Sequence, residues 1–435
     1  MRTIPAAVAV AVVFSFGSSA NAQRVDALAA SYVDPVDGLT LDQAIAQAVE
    51  REPSLRAVRA EVDVAAGFEQ QARLRANPTV TAERRQASDG MDRQSMITAQ
   101  WPLELFRRRP RTEAAGRARD VAGLVVANRE RLFAADVRAR YGDLLVSIRR
   151  LTVLDEIVAV VSEQYAVIST RAEEGAVPAI DRDLLDVELR RWRAERLVAL
   201  GRTDAAVVAL NRMLGLPPDA PLRVRHRLAD AVAQDPSAPV NAADITTRAD
   251  VRAAAADLAA SDARRDAARA NGRIDISLMA GYGRMESGFM QQGIGPDGRL
   301  EPIRNRMHTF TGGVMVMVPL FDRNQGAVAV ATAQRAAADA ALQAVRLDAQ
   351  AELASASAVD RRAREALDLY SAGGRALAQR NLDVIRQTYE LGRATVFDVL
   401  AEQRRYLAFE EAYTEALRLA YEARTSLLSA RGETR

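Results

Sequence analysis

Two stretches of this 435-residue chain place a glycine, a short spacer and an aspartate in the same order. The first, "AEEGAVPAIDRDLL", carries Gly175, Pro178 and Asp181; the second, "YELGRATVFDVLAEQ", carries Gly392, Arg393, Thr395, Asp398 and Glu402. Glycine reaches backbone conformations that turn a chain sharply, and a carboxylate in the first turn of a helix suits the positive end of the helix dipole. Each stretch therefore predicts a turn between two helices. Asp181 and Asp398 admit two roles, as stabilisers of a helix start or as charges held at an opening. Arg393 likewise either pairs across the turn or stands solvated at its tip.

Other chemistry is sparse. The only histidines are His226 and His308, there is no cysteine, and no His-x-x-x-His spacing occurs, so the sequence predicts no dedicated transition-metal site and no cofactor. A wide aqueous duct that conducts metal ions would not need one. Gly281-Tyr282-Gly283 lacks the third glycine of a dinucleotide loop and sits in a strand pattern. No nucleophile lies beside a base in any recognisable pattern, so an enzyme is not expected. All 59 basic residues are arginine and face 57 acidic ones, a net charge of +2. Because the two signs interleave along helices, they predict a solvated, salt-bridged surface rather than a nucleic-acid site.

The N-terminus, "MRTIPAAVAVAVVFSFGSSANAQ", has a basic start, an apolar run and Ala20-Asn21-Ala22, the order of a secretory signal cleaved after Ala22. The chain is thus expected to be exported. No later segment has about 18 consecutive apolar residues, so no membrane-spanning helix is expected, while β-strands, whose signal per segment is much weaker, remain a route into an outer membrane.

The elements repeat. Helix is expected from Leu39 to about Ala76, opened by Thr40 with Gln43 three residues on. A hairpin follows over about 78–105, then helix from about Arg107 to Glu174, the Gly175 turn, and helix to about Leu214. The second half gives helix from about Ala249 to Ala270, a hairpin over about 273–320 with a Gly-rich loop at 289–304, helix from about Gln325 to Glu390, the Gly392 turn, and helix to about Ala430. Leu55 overlies Val251 at an offset of 196, whereas Pro102, Gly175 and Asp181 overlie Pro319, Gly392 and Asp398 at 217; the difference of 21 residues falls in the second hairpin. The expected division is 1–22 signal, 23–222 first repeat and 223–435 second repeat.

A helix of about 65 residues would span close to 100 Å and calls for coiled-coil packing. Val399, Tyr406, Tyr413, Ala420 and Leu427 recur every seven residues, with Phe409, Ala416, Ala423 and Ala430 three further on and Glu402 breaking that second set near the turn. The strands alternate: Ile274, Ile276, Leu278, Ala280 and Tyr282 against Asp275, Ser277, Met279, Gly281 and Gly283, then Phe310, Gly312, Val314, Val316 and Val318 against Thr309, Thr311, Gly313, Met315 and Met317. Their length suits tilted membrane-spanning strands, but four strands cannot close a barrel and open edges do not persist in lipid. Three copies would make twelve strands. Trp101, at the end of the second strand, fits a membrane-interface anchor.

This duplicated plan resembles the TolC-like outer membrane efflux protein family. "LTLDQAIAQAVEREPSLRAVRAEV" is similar to that family's repeat opening, and "YELGRATVFDVLAEQRRYLAFEEAY" to its tip and following helix. "WPLELFRRRPRTEAA" and the short first hairpin resemble the heavy-metal branch of the cobalt-zinc-cadmium resistance (CzcC-like) type. The resemblance implies a mainly α protomer with a small transmembrane β part. It implies a homotrimer in which a 12-stranded β-barrel in the outer membrane continues into a long α-helical barrel in the periplasm. It further implies a passive exit duct that docks on a periplasmic adaptor and an inner-membrane pump of RND type, with heavy-metal cations as cargo. The tips carrying Gly175, Pro178, Gly392 and Thr395 would then contact the adaptor, and Asp398, Arg393, Asp181 and Glu402 would line the gate. Relatives carry a second acidic residue one turn after the first; here that position is Ala401, with Glu402 beside it. A drug-efflux or type I secretion channel would share most of these features, and a periplasmic coiled-coil scaffold is the reading that omits the membrane.

Overall fold

The computed structural model describes residues 28–88, 92–233 and 242–433; the expected signal segment lies outside the described residues. Two α-helices open the first repeat, α1 (Leu41–Arg51) and α2 (Pro53–Arg73). The sequence predicts one helix here, but Pro53 cannot continue the hydrogen bonding of α1, and Glu52 turns extended to cap α2. The start is as expected: Thr40 accepts from the Gln43 N–H at 3.3 Å while the Gln43 side chain accepts from the Thr40 N–H at 3.0 Å. Strands β1 (Thr79–Gln86) and β2 (Arg93–Pro102) lead into α3 (Arg108–Glu173) and α4 (Ala179–Leu214). At 66 residues, α3 is about 100 Å long.

A short α5 (Leu228–Ala233) opens the stretch expected as the second repeat, which continues with α6 (Ala249–Asn271), β3 (Asp275–Ile294), β4 (Leu300–Met317), α7 (Gln325–Ser371), α8 (Gly374–Glu390) and α9 (Val396–Arg431). Two expectations are corrected here. The helix predicted from Gln325 to Glu390 breaks at Ala372–Gly373, where Gly373 takes φ +89°; the same offset in the first repeat falls inside uninterrupted α3. The segment 289–304 is no loose loop. Gln292, Gly293 and Ile294 pair with Pro302, Glu301 and Leu300, after a bulge between Gly288 and Gln292, so the insertion lengthens the hairpin.

The four strands form one antiparallel sheet in the order β1-β2-β3-β4, with β2 and β3 joining the two repeats. In this register Val80, Ile97, Ala99, Trp101, Leu278, Tyr282, Phe310 and Val314 share one face, and Thr81, Thr98, Gln100, Ser277, Thr309 and Thr311 share the other. Between Trp101 and Tyr282 the first face is an apolar band, as for strands against lipid. Beyond it come Ser95, Arg284, Glu286 and Arg306; the second face mixes hydroxyls and amides with glycine and methionine. Tyr282 packs on Phe310 at 5.3 Å and accepts or donates at His308 Nδ1 (2.7 Å), so His308 is held in an aromatic cluster on the apolar face.

Below the sheet, α3 packs against α2, α4, α6 and α9. The largest apolar core lies midway along it, where α1, α4, α5 and α9 gather around Tyr141, Leu144, Leu210, Leu214 and Tyr421. The predicted heptad seam of α9 is buried at Val399, Tyr406, Ala416, Ala420, Ala423, Leu427 and Ala430 and half-buried at Phe409 and Tyr413. Close helix approach depends on Gly142 of α3, where an added Cβ would overlap the Tyr421 ring. A polar cluster also crosses the bundle. Fully buried Glu410 of α9 bonds Arg149 of α3, Arg375 Nε of α8 at 2.6 Å and the Tyr406 hydroxyl at 3.3 Å.

Candidate functional site

Both glycine turns fold alike. Gly175 takes φ +74° and Gly392 φ +71°. At the first, the Ala176 N–H donates to the Arg171 carbonyl (2.8 Å) and the Gly175 N–H to that of Ala172 (3.2 Å); at the second, Arg393 N–H donates to Thr388 (3.0 Å) and Gly392 N–H to Tyr389 (2.9 Å). Each is a Schellman closure of a helix end, which requires the left-handed residue that glycine supplies.

The following helix starts differ. Thr395 caps α9: its hydroxyl accepts from the Asp398 N–H at 3.2 Å, while the Asp398 carboxylate accepts from the Thr395 N–H at 2.8 Å and its hydroxyl at 2.7 Å. The bond from the Thr395 backbone, then that from its hydroxyl, holds the Asp398 carboxyl below the usual carboxylate range. In the first tip Pro178 occupies the cap position, with no side-chain cap bond. Proline has no N–H, so Asp181 cannot close the equivalent box, and among the described residues its carboxylate has no hydrogen-bond partner. Asp398 therefore fills the helix-start role, whereas Asp181 is spent on neither cap nor pair.

The tips dock on one another. Ile168 and Leu185 of the α3–α4 tip bury against Val396 and Leu400 of the α8–α9 tip, with Tyr165, Val177 and Tyr389 around them. Beside this contact a cavity of about 190 Å³ opens between α3 and α8, lined by Gln164, Arg171, Arg386 and Tyr389 among others. The Arg386 Nε and Nη2 atoms and the Tyr389 hydroxyl are buried there without hydrogen bonds. Burial lowers the Arg386 guanidinium pKa and raises that of Tyr389, the nearby Asp181 charge adding to the latter. Gln403 Nε2 donates to Gln164 Oε1 at 2.5 Å, tying α9 to α3 just above the tip.

Of the residues singled out from sequence, Gly175, Pro178, Asp181, Gly392, Arg393, Thr395 and Asp398 are thus brought to one end of the bundle. Arg393 is exposed and makes no ion pair among the described residues. Glu402 lies one turn after Asp398 on α9; its side chain is 13% exposed and pairs with Arg405 at 3.0 Å. Trp101 lies at the far end, 38% exposed, its indole N–H donating to the Ala76 carbonyl at 3.1 Å. Sequence reasoning passed over Arg386, Gln164 and Gln403, whose meeting depends on packing between distant helices. Among the described residues no cluster of three His, Cys, Asp or Glu side chains could hold a metal ion.

A long two-helix hairpin repeated twice beneath a membrane-type sheet defines a channel-forming class, and family comparison agrees. Residues 44–216 and 245–433 match the model of the outer membrane efflux protein family, and the chain belongs to it. Outer membrane efflux is thus the transport class of the protein. Comparison with curated protein sequences finds no match. Among solved structures, the fold is similar to CusC (19% identity, 90% of this chain and 92% of that one, TM-score 0.71). It is also similar to VceC of Vibrio cholerae (18%, 90% and 96%, 0.69) and to the open state of MtrE of Neisseria gonorrhoeae (19%, 100% and 98%, 0.69).

Proposed function

We propose that three copies of the chain assemble into the exit duct of a tripartite efflux system that discharges heavy-metal cations. Their four-stranded sheets would close as a 12-stranded barrel in the outer membrane, and their helices would continue it into the periplasm. An inner-membrane pump of RND type drives the cargo and a periplasmic adaptor seals the junction, while the duct itself conducts passively. The observation that carries this reading is the sheet: an apolar band on one face, from Trp101, Leu278 and Val314 to Ile97, Tyr282 and Phe310, and two open edges, β1 and β4, which only neighbouring copies would satisfy in lipid. Exposed apolar residues along the helices, such as Ile180, Val187, Leu347 and Leu369, support lateral packing between copies.

In this reading the six tips of the trimer ring the periplasmic entrance, with Gly175, Pro178, Gly392 and Thr395 shaping the surface that meets the adaptor. Asp181 and Asp398 draw cations to that entrance, and Arg393 sits at its rim. Glu402, turned to Arg405, supports helix α9 rather than a second acidic ring. Trp101 anchors the inner membrane interface.

The test is a deletion strain challenged with Co, Zn, Cd, Ni, Cu and a panel of drugs, with complementation. Sensitivity to metals restored by the gene supports the reading; sensitivity to drugs alone overturns the cargo. Recovery of the protein solely in the soluble periplasmic fraction overturns the duct.

A further inference from the structure

The strand register gathers six of the chain's ten methionines on one face of the sheet. Met96, Met279, Met285, Met307, Met315 and Met317 all fall on the polar face with Thr98, Gln100 and Thr311, and none of them on the apolar one. Along β3 from Ser277 to Met285 the residues of this face are half-buried and the alternate ones exposed, as on the concave side of a curved sheet. Apolar thioethers have no solvation reason to stand on the water-facing wall of a barrel, where hydroxyls and amides otherwise prevail.

They form two groups. Met285 and Met307 are direct cross-strand partners, and Met96 is diagonal to Met285 across the β2–β3 pairing. Direct partners have Cβ atoms about 4.5–5.5 Å apart and diagonal ones about 7–8 Å, within reach of a flexible side chain. Six residues along β3, roughly 20 Å at 3.3–3.4 Å per residue, Met279 lies over Gly313, its Cε 3.9 Å from where a Cβ would stand. Beside it the Gln100 amide approaches Met315 Sδ at 3.6 Å, and Met317 follows on the same face. Harder donors nearby are engaged: Asp275, the partner of Met317, pairs with Arg107 at 3.1 Å, and Glu83, the partner of Met96, lies 3.8 Å from Arg85.

We infer that these two thioether groups are transit sites for soft monovalent cations, Cu(I) and Ag(I), on the inner wall of the barrel. Neutral sulfur donors select such ions over Zn(II) or Co(II), which prefer imidazole, carboxylate or water. Two or three thioethers without a thiolate hold an ion weakly, and several weak sites in series let it enter and leave. The inference deepens the duct reading and rests on it for transport, whereas binding itself requires only the folded sheet.

The purified full-length protein in detergent, dialysed to equilibrium against silver nitrate in chloride-free buffer, measures binding directly. The comparison is with Met285→Leu/Met307→Leu, with Met279→Leu/Met315→Leu and with all four changes together; leucine nearly conserves the volume. The expected result is loss of one class of silver site in each double variant, at least tenfold weaker binding in the combined one, and unchanged zinc retention. A second measurement needs no variant: silver should slow peroxide oxidation of the six methionines severalfold and leave Met290, 86% exposed at the hairpin end, unprotected. Equal silver retention by wild type and the combined variant, or equal protection of Met290 and Met285, overturns the inference. In cells the combined variant should lose silver tolerance and keep drug and zinc tolerance. A wild-type gene that restores no tolerance of any kind removes the duct reading while the dialysis result stands.

Discussion

Asp398 and Asp181 occupy matching positions yet carry their charge in different ways. Asp398 accepts two bonds from Thr395, which keep its carboxylate ionised below the ordinary value of 3.8. A lowered pKa adds stability above the unfolded value and loses it as pH falls through the folded one, so the cap of α9 weakens only in strong acid. If Asp398 sets cation selectivity in the proposed duct, that selectivity should stay constant from pH 8 to pH 5 in planar-bilayer recordings; a midpoint inside that window would refute it. Asp181→Asn should lower cation selectivity severalfold at little cost in thermal stability, because Asp181 closes no capping box and only its charge in the first turn of α4 is lost. At Glu410 the balance is reversed, toward structure. Its removal strands Arg149 and Arg375, and buried pairs broken on one side cost about 3–5 kcal/mol, less here because Arg375 is 45% exposed. Glu410→Ala should lower the unfolding midpoint clearly, whereas Glu402→Ala, whose partner Arg405 is 77% exposed, should shift it little.

At the scale of elements, the two glycines make the sharpest prediction. Gly175 and Gly392 have open space where a Cβ would go, so substitution meets backbone strain alone. Gly392→Ala should cost about 1–2 kcal/mol, the penalty of a left-handed L-residue, seen as raised proteolysis at the tip with the barrel intact; an unchanged cleavage rate would refute it. Both tips were legible because glycine and helix-start chemistry are local. The hairpins were legible through their alternation, and α9 through its heptads. The break at Gly373 was overlooked although Gly373-Gly374 is a local turn signal, because helical pattern continues on both sides and the first repeat has no counterpart. The docking of Ile168 and Leu185 on Val396 and Leu400 joins residues more than two hundred positions apart and leaves no local trace. The methionines were visible as alternating residues, but their shared face appeared only with the register of four strands.

For the whole molecule, the sheet edges and the apolar face impose one joint requirement. Among the described residues β1 pairs only with β2 and β4 only with β3, so each edge leaves a row of backbone donors and acceptors without a strand partner. In hydrocarbon such groups cost several kcal/mol each, and pairing β4 of one copy with β1 of the next would satisfy the row of the eight-residue β1 and the matching stretch of the longer β4. Val314, 61% exposed on the apolar face, then looks into lipid. Val314→Arg should destabilise the barrel by less than the midplane cost of about 2–4 kcal/mol, because Val314 is in register with Leu278 and Trp101 near the interface, whereas Thr311→Arg on the opposite wall, water-facing in the proposed duct, should leave folding near normal and alter conductance. The readout is heat-modifiable migration of the outer-membrane fraction: wild type and Thr311→Arg should run as an SDS-resistant trimer that collapses on boiling, and Val314→Arg as monomer with reduced membrane yield. If Thr311→Arg blocks assembly while Val314→Arg permits it, the two faces have been assigned the wrong way round, and the thioether wall would face lipid.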